Sequence, residues 1–159
     1  SGHLDEHLAA EVGRQLLGAL AHCHGREAPV VHRDVKPENI MVRQPEGSAA
    51  ALEVKLIDFG LSVVLGPGKA GVAGTRQYLA PEALSRAGSC TPALDVWSAG
   101  VVLFCCLTGG LPPASIRAGL PSGELLQAFT EFCLPPGAVD LLSWVLRASP
   151  SERPTAEQA

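Results

Sequence analysis

The sequence predicts a mainly α domain carrying one short β-hairpin, and three observations predict it. Apolar residues recur at spacings of three and four over long stretches, two short β-branched runs stand close enough to pair, and glycine and proline punctuate the chain between them. With 159 residues, 47% of them hydrophobic and 18% charged, the chain can bury one core of ordinary size and does not have the composition of a disordered segment.

The first helix starts near Leu4, where Leu4, Leu8, Val12, Leu16, Leu17, Leu20 and Ala21 share a face, with Asp5 and Glu6 at its positive end. It stops near Gly25. Pro29, Val30 and Val31 then lead an extended entry into His32-Arg33-Asp34. The runs Ile40-Met41-Val42 and Val54-Lys55-Leu56-Ile57 flank a loop containing Pro45, Gly47 and Ser48, which reads as a hairpin. Residues 65–74 hold Gly66, Pro67, Gly68, Gly71 and Gly74 with no hydrophobic period, so a mobile loop is expected there.

Thr91 as N-cap and Pro92 at the first helical position open a helix through Leu107. That helix is apolar on nearly every side and belongs in the middle of the domain. Pro112, Pro113, Gly119 and Pro121 break the chain again, and the resemblance described below implies that the helix before Asp140 is reduced, since Leu111-Pro112-Pro113-Ala114 departs from its pattern. Residues 137–146 read as another helix with a buried face. Thr155-Ala156-Glu157-Gln158 is a capping-box signature just before the chain stops at Ala159. The expectation is one partial domain over residues 1–159, cut at both ends.

Composition excludes several classes. Sixteen acidic residues against twelve basic give a net charge of -4, which is no footprint for a nucleic-acid backbone. Aromatic residues at 4% are too sparse for a platform that stacks single-stranded bases. The longest apolar run, from Val101 to Leu107, is far too short to cross a bilayer. Five cysteines without a CxxC indicate a reducing compartment, so an intracellular, cytoplasmic location is expected, with Cys105-Cys106 acting as small core residues.

The chemistry-bearing residues cluster in a few short stretches. Asp58 and Asn39 offer hard oxygen donors of the kind magnesium takes. Asp34 can orient a hydroxyl and accept its proton, and Lys36 can neutralise a phosphoryl group in flight. The stretch His32-Arg33-Asp34-Val35-Lys36-Pro37-Glu38-Asn39 resembles the catalytic loop of protein kinases, followed in order by Asp58-Phe59-Gly60 and by Ala80-Pro81-Glu82. Asp95-Val96-Trp97-Ser98-Ala99-Gly100 is similar to the start of that family's central helix, and Arg153-Pro154-Thr155 to the arginine near its end. Any one of these stretches is a weak signal, but all of them in order would need a separate coincidence for each.

The resemblance implies the C-terminal lobe of a protein kinase, in which the β-hairpin carries the catalytic loop and the metal-binding Asp58. It implies ATP and Mg2+ as cofactors, Asp34, Lys36 and Thr75 as catalytic residues, and Asn39 and Asp58 as the metal ligands. Met41 would form the floor of the adenine pocket. His32, Arg33, Phe59, Gly60, Glu82, Asp95 and Arg153 would support the site, Glu82 and Arg153 as a buried ion pair. Lys36 and the run Gly74-Thr75-Arg76-Gln77-Tyr78 resemble serine/threonine kinases, with Thr75 bridging Asp34 and Lys36. The wider pattern is closest to the calcium/calmodulin-dependent and calcium-dependent group.

The implied partner is a protein substrate, with basic residues upstream of the acceptor to suit Glu38. The alternative is a non-catalytic, lobe-only or pseudokinase module, against which stands the retention of Asp34, Lys36, Asn39 and Asp58. The 159 residues contain no G-x-G-x-x-G phosphate loop, so the chain alone is expected to bind ATP poorly, and an apolar patch is expected around Met41 and Ile57. Finally, no Ser, Thr or Tyr lies between Val63 and Gly74. Arg33 thus lacks a phosphate partner, and no phosphorylation switch is expected within residues 58–82.

Overall fold

The computed structural model describes residues 2–43, 52–66, 71, 73–84, 90–119 and 122–159. Helix α1 spans Glu6–His24, and Asp5 caps it by accepting the Leu8 N–H at 2.9 Å. Its buried face is the predicted one: Val12, Leu16, Leu17 and Leu20 all lie in the core. Helix α2, Ala93–Thr108, is the axis of the molecule, with every residue from Leu94 to Phe104 buried. A helix apolar on all sides can satisfy the hydrophobic effect only by being surrounded, and α1 and α5 (Pro136–Val145) pack against it. Gly100 makes the close approach to α5 possible, since a Cβ there would stand 2.6 Å from Val145 Cγ2.

Thr91 does not cap α2. Its hydroxyl is buried and finds no hydrogen-bond partner among the described residues. The carbonyls of Thr91 and Pro92 take the first free amides instead, from Leu94 at 3.1 Å and from Asp95 at 3.1 Å. The segment after α2 also differs from expectation. A short α3, Ala114–Arg117, is followed by α4, Ser122–Glu131, a helix of 10 residues. Leu125, Ala128 and Phe129 recur on one face of α4 and are buried, and Phe132 just beyond it sets its ring edge-on to Phe104 at 5.3 Å. Helical spacing of apolar groups kept this element in place.

The β structure is small: β1 (Val30–Val31) pairs with β4 (Val63–Val64), and β2 (Ile40–Arg43) pairs antiparallel with β3 (Glu53–Leu56). Ile40 faces Leu56 and Arg43 faces Glu53. The turn with Pro45, Gly47 and Ser48 lies outside the described residues, as do Pro67 and Gly68 of the glycine-rich stretch. Gln15 of α1 ties β3 to the helices, accepting the Val54 N–H at 2.9 Å and donating to the Leu52 carbonyl. Thr155 and Gln158 form the reciprocal capping box, Thr155 N–H to Gln158 Oε1 at 2.9 Å and Gln158 N–H to Thr155 Oγ1 at 3.3 Å.

Met41, Val42, Phe59, Leu61 and Val64 are exposed, whereas Ile57 is half-buried. Among the described residues no helix is long and apolar enough to cross a membrane. All five cysteines are free.

Candidate active site

The loop from His32 to Asn39 is held from behind by Asp95, a fully buried carboxylate in the first turn of α2. Its oxygens accept the N–H of His32 at 2.7 Å and of Arg33 at 2.8 Å, and His24 Nε2 lies 2.9 Å away. Arg33 takes φ 68, a left-handed conformation that an L side chain adopts at a cost of about 1–3 kcal/mol. Two charge-assisted bonds to flanking amides offset that cost. His24 escapes sequence reasoning: it closes an amphipathic helix, and nothing in its neighbourhood points to Asp95 far along the chain.

His32, also fully buried, ties the loop to the strand before Asp58. Its Nδ1 accepts the Asp34 N–H at 3.3 Å, which leaves Nε2 as the protonated nitrogen that donates to the Ile57 carbonyl at 3.0 Å. Phe59, though exposed on its outer side, sets its ring edge-on to His32 at 4.7 Å.

Three side chains and one backbone amide converge on Asp34. Its Oδ1 accepts the Thr75 N–H at 2.9 Å and the Thr75 hydroxyl at 2.7 Å, and its Oδ2 meets Lys36 Nζ at 2.8 Å and Asn39 Nδ2 at 3.2 Å. Lys36 also donates to Thr75 Oγ1 at 2.9 Å, so Thr75 sits between the two charged groups. Burial pushes the Asp34 carboxyl up, but the bonds from Lys36 and Thr75 outweigh it and hold the group below its ordinary value. The Asp34 hydrogen bond likewise raises the Lys36 ammonium above its ordinary value. At neutral pH the pair is therefore carboxylate and ammonium.

Gly74 allows Thr75 to reach in. It has φ 113, and a Cβ on it would lie 2.2 Å from the Arg33 carbonyl oxygen. Gly74→Ala is expected to destabilise the fold by about 1–3 kcal/mol through the forbidden backbone angle and to pull Thr75 off Asp34. The urea midpoint, compared with that of the unsubstituted protein, checks the stability effect.

Asp58 follows β3 in the left-handed region, φ 61 and ψ 75, and one of its oxygens accepts the Gly60 N–H at 3.1 Å. Asn39 immediately precedes β2, and the Ile57 N–H donates to the Asn39 carbonyl at 2.9 Å, so the two residues stand at one end of the same strand pair. Asn39 spends its amide nitrogen on Asp34, on the carbonyl at 2.9 Å as well as the carboxylate, which leaves its side-chain oxygen for a cation. Among the described residues no cluster of three or more His, Cys, Asp or Glu forms a metal cage. Two hard oxygens suit magnesium, which keeps few protein ligands and completes its shell with water and phosphate. Met41, two residues beyond Asn39 on β2, has an exposed side chain that an adenine ring could cover.

Arg33 is engaged rather than waiting. Its Nε donates to the Leu61 carbonyl at 2.6 Å and its Nη1 to the Gly71 carbonyl at 3.0 Å. Further along, Glu82 and Arg153 form a two-pronged ion pair at 2.6 and 2.7 Å, with the guanidinium 4.8 Å from the Trp97 ring centre.

The comparisons with known proteins agree with this arrangement. The family described as "Protein kinase domain" matches residues 1–159. Calcium-dependent protein kinase 22 of Oryza sativa subsp. japonica is 39% identical over 166 residues, covering 99% of this chain and 27% of the relative. Calcium-dependent protein kinase 11 of Arabidopsis thaliana is 37% identical, with 99% of this chain and 32% of the relative covered. Sperm motility kinase 3A of Mus musculus is also 37% identical, with 99% and 31% covered. The chain thus spans about three-tenths of the length of the curated relatives it matches. A loop braced by Asp95, an aspartate joined to lysine and threonine, and a match over every residue lead to one statement: the chain belongs to the protein kinase family, with the sequence pattern of its serine/threonine, calcium-dependent members.

Proposed function

We propose that residues 1–159 are the catalytic-loop part of a serine/threonine protein kinase that transfers the ATP γ-phosphoryl group to protein hydroxyls. The observation that carries this reading is the Asp34 carboxylate held at once by Thr75, Lys36 and Asn39. In this role Asp34 aligns the substrate hydroxyl and takes its proton, while Lys36 offsets the negative charge that develops on the transferring group. Thr75 keeps the two in register. Asn39 and Asp58 would hold the magnesium. Mg-ATP, when bound, supplies the phosphoryl group and much of the charge neutralisation. The 159 residues contain no glycine-rich phosphate loop and span about three-tenths of the length of the relatives, so the activity is proposed for a longer polypeptide that contains them.

Protein substrates follow from the reaction, and the exposed Glu38 beside the catalytic loop favours a basic residue upstream of the acceptor. The free cysteines suit a reducing, cytoplasmic setting. Arg33, the residue a loop phosphate would engage, already donates to the Leu61 and Gly71 carbonyls, which supports activity without phosphorylation of that loop.

The test is an assay with labelled ATP on the longest expressible polypeptide containing this chain, offering serine, threonine and tyrosine acceptor peptides. Serine and threonine are expected to be labelled, tyrosine not, and chelation of divalent cations should stop the reaction. Absence of any incorporation favours the non-catalytic module instead. An activating phosphosite mapped inside residues 58–82 would overturn the regulatory part.

A further inference from the structure

Gln15 lies on α1, outside the loop and strands that carry the site, yet both ends of its side-chain amide are engaged. Its Oε1 accepts the Val54 N–H at 2.9 Å, and its Nε2 donates to the Leu52 carbonyl and to Glu11 Oε1. We infer that Gln15 is a positioning residue for the Asn39–Asp58 pair, because it locks the open edge of β3 and so fixes Asp58 relative to Asn39. The inference rests on the kinase reading above and adds a residue of α1 to its metal site.

The register of the hairpin is the first argument. Antiparallel pairing turns alternate residues of a strand toward the partner and away from it. Ile57 faces the partner, its N–H on the Asn39 carbonyl at 2.9 Å, so Leu52 and Val54 turn their backbone groups to the open edge of β3. A ribbon of two strands is marginal alone. A primary amide has the donor and the acceptor of a peptide unit, and Gln15 stands where a third strand would. Val54 is four residues before Asp58 on the strand that leads into it. Asp58 has φ 61, a backbone angle that persists only where the surroundings fix it. A slip of β3 along β2 would carry Asp58 away from Asn39. Magnesium tolerates little departure from octahedral geometry and would then bind less well.

The orientation of the amide is the second. A carboxylate only accepts, so Glu11 keeps the Gln15 nitrogen toward itself at 2.6 Å and leaves the oxygen for Val54. Arg14 fixes Glu11 in turn, donating from Nε at 2.9 Å and from Nη2 at 2.6 Å. The bonds from Arg14 and Gln15 hold the Glu11 carboxyl down at about 2, so it remains an acceptor at neutral pH. A relay of three side chains on α1 thus ends on the backbone of β3.

The experiment uses the longer polypeptide that contains these residues, unsubstituted and as Gln15→Met, which keeps the bulk without donor or acceptor. Asp5→Ala is the control, since it removes the cap on the Leu8 N–H without touching the hairpin. Amide hydrogen exchange and broadening of the Gly60 amide resonance by Mn2+ are read without turnover, and half-saturating Mg2+ in the transfer assay. Gln15→Met should speed exchange at Ile57 as well as at Val54. It should also weaken the response to both metals by about tenfold, the lower end of what groups behind metal ligands contribute, and leave the peptide KM unchanged. Asp5→Ala should lower the urea midpoint alone. If Gln15→Met does not fold, Glu11→Gln, a surface change that frees the amide to turn, takes its place and should move the metal response in the same direction. Faster exchange confined to Val54, or a metal response equal to that of the unsubstituted protein, overturns the inference and leaves the kinase reading standing. No response to either metal in the unsubstituted protein overturns both.

Discussion

Asp34→Asn is expected to lower phosphoryl transfer by about 10²–10⁴-fold, the range a positioned general base contributes, while leaving the polypeptide folded. The side chain keeps its size, so the packing around Val35 and His32 is undisturbed. What changes is donor and acceptor count. The carboxylate accepts from the Thr75 amide and hydroxyl on one oxygen and from Lys36 and Asn39 on the other. An asparagine must turn an NH2 group toward one of those sets of donors, and it can take no proton from a substrate hydroxyl. Turnover with saturating peptide reads the loss, and an unshifted far-ultraviolet spectrum shows that the fold survives. Activity equal to that of the unsubstituted protein would remove Asp34 from the reaction.

Arg153→Ala is expected to destabilise the fold by about 3–5 kcal/mol, because it removes both prongs of a poorly solvated ion pair with Glu82. The side chain of Arg153 has no exposed surface and that of Glu82 is 15% exposed. Beyond the ion pair, the guanidinium donates to the carbonyls of Arg147 at 2.7 Å, Ala93 at 3.0 Å and Ala148 at 3.0 Å. Removing it therefore also takes a donor from three carbonyl oxygens. Glu82→Ala costs the same pair but leaves those carbonyls satisfied, so it should be the milder of the two. Urea midpoints of the two single variants and the double variant measure the coupling. Because Glu82 sits in the turn Pro81–Leu84 at the end of the activation segment, loosening it should also lower activity. Midpoints within about 1 kcal/mol of the parent would mean that the pair is solvated in solution.

How far the sequence reaches depends on whether a signal is local. The face of α1, the central helix and the Thr155–Gln158 capping box were legible because periodicity and caps act over a few residues. The Thr91 cap was misread because a hydroxyl before proline is a preference, and here the helix starts on backbone carbonyls. Between the central helix and Asp140 only a reduced helix was expected, and the apolar spacing there forms the 10-residue α4.

By itself the sequence determined the family and the order of the residues proposed to act in it: Asp34, Lys36, Asn39, Asp58 and Thr75. Only the tertiary structure decided which of them touch. It placed Thr75 between Asp34 and Lys36, His24 against Asp95, and Arg33 on the carbonyls of Leu61 and Gly71. These contacts join residues far apart along the chain. Their geometry is set by how the helices close around α2 and by left-handed backbone at Arg33, Asp58 and Gly74, which no local pattern of side chains encodes.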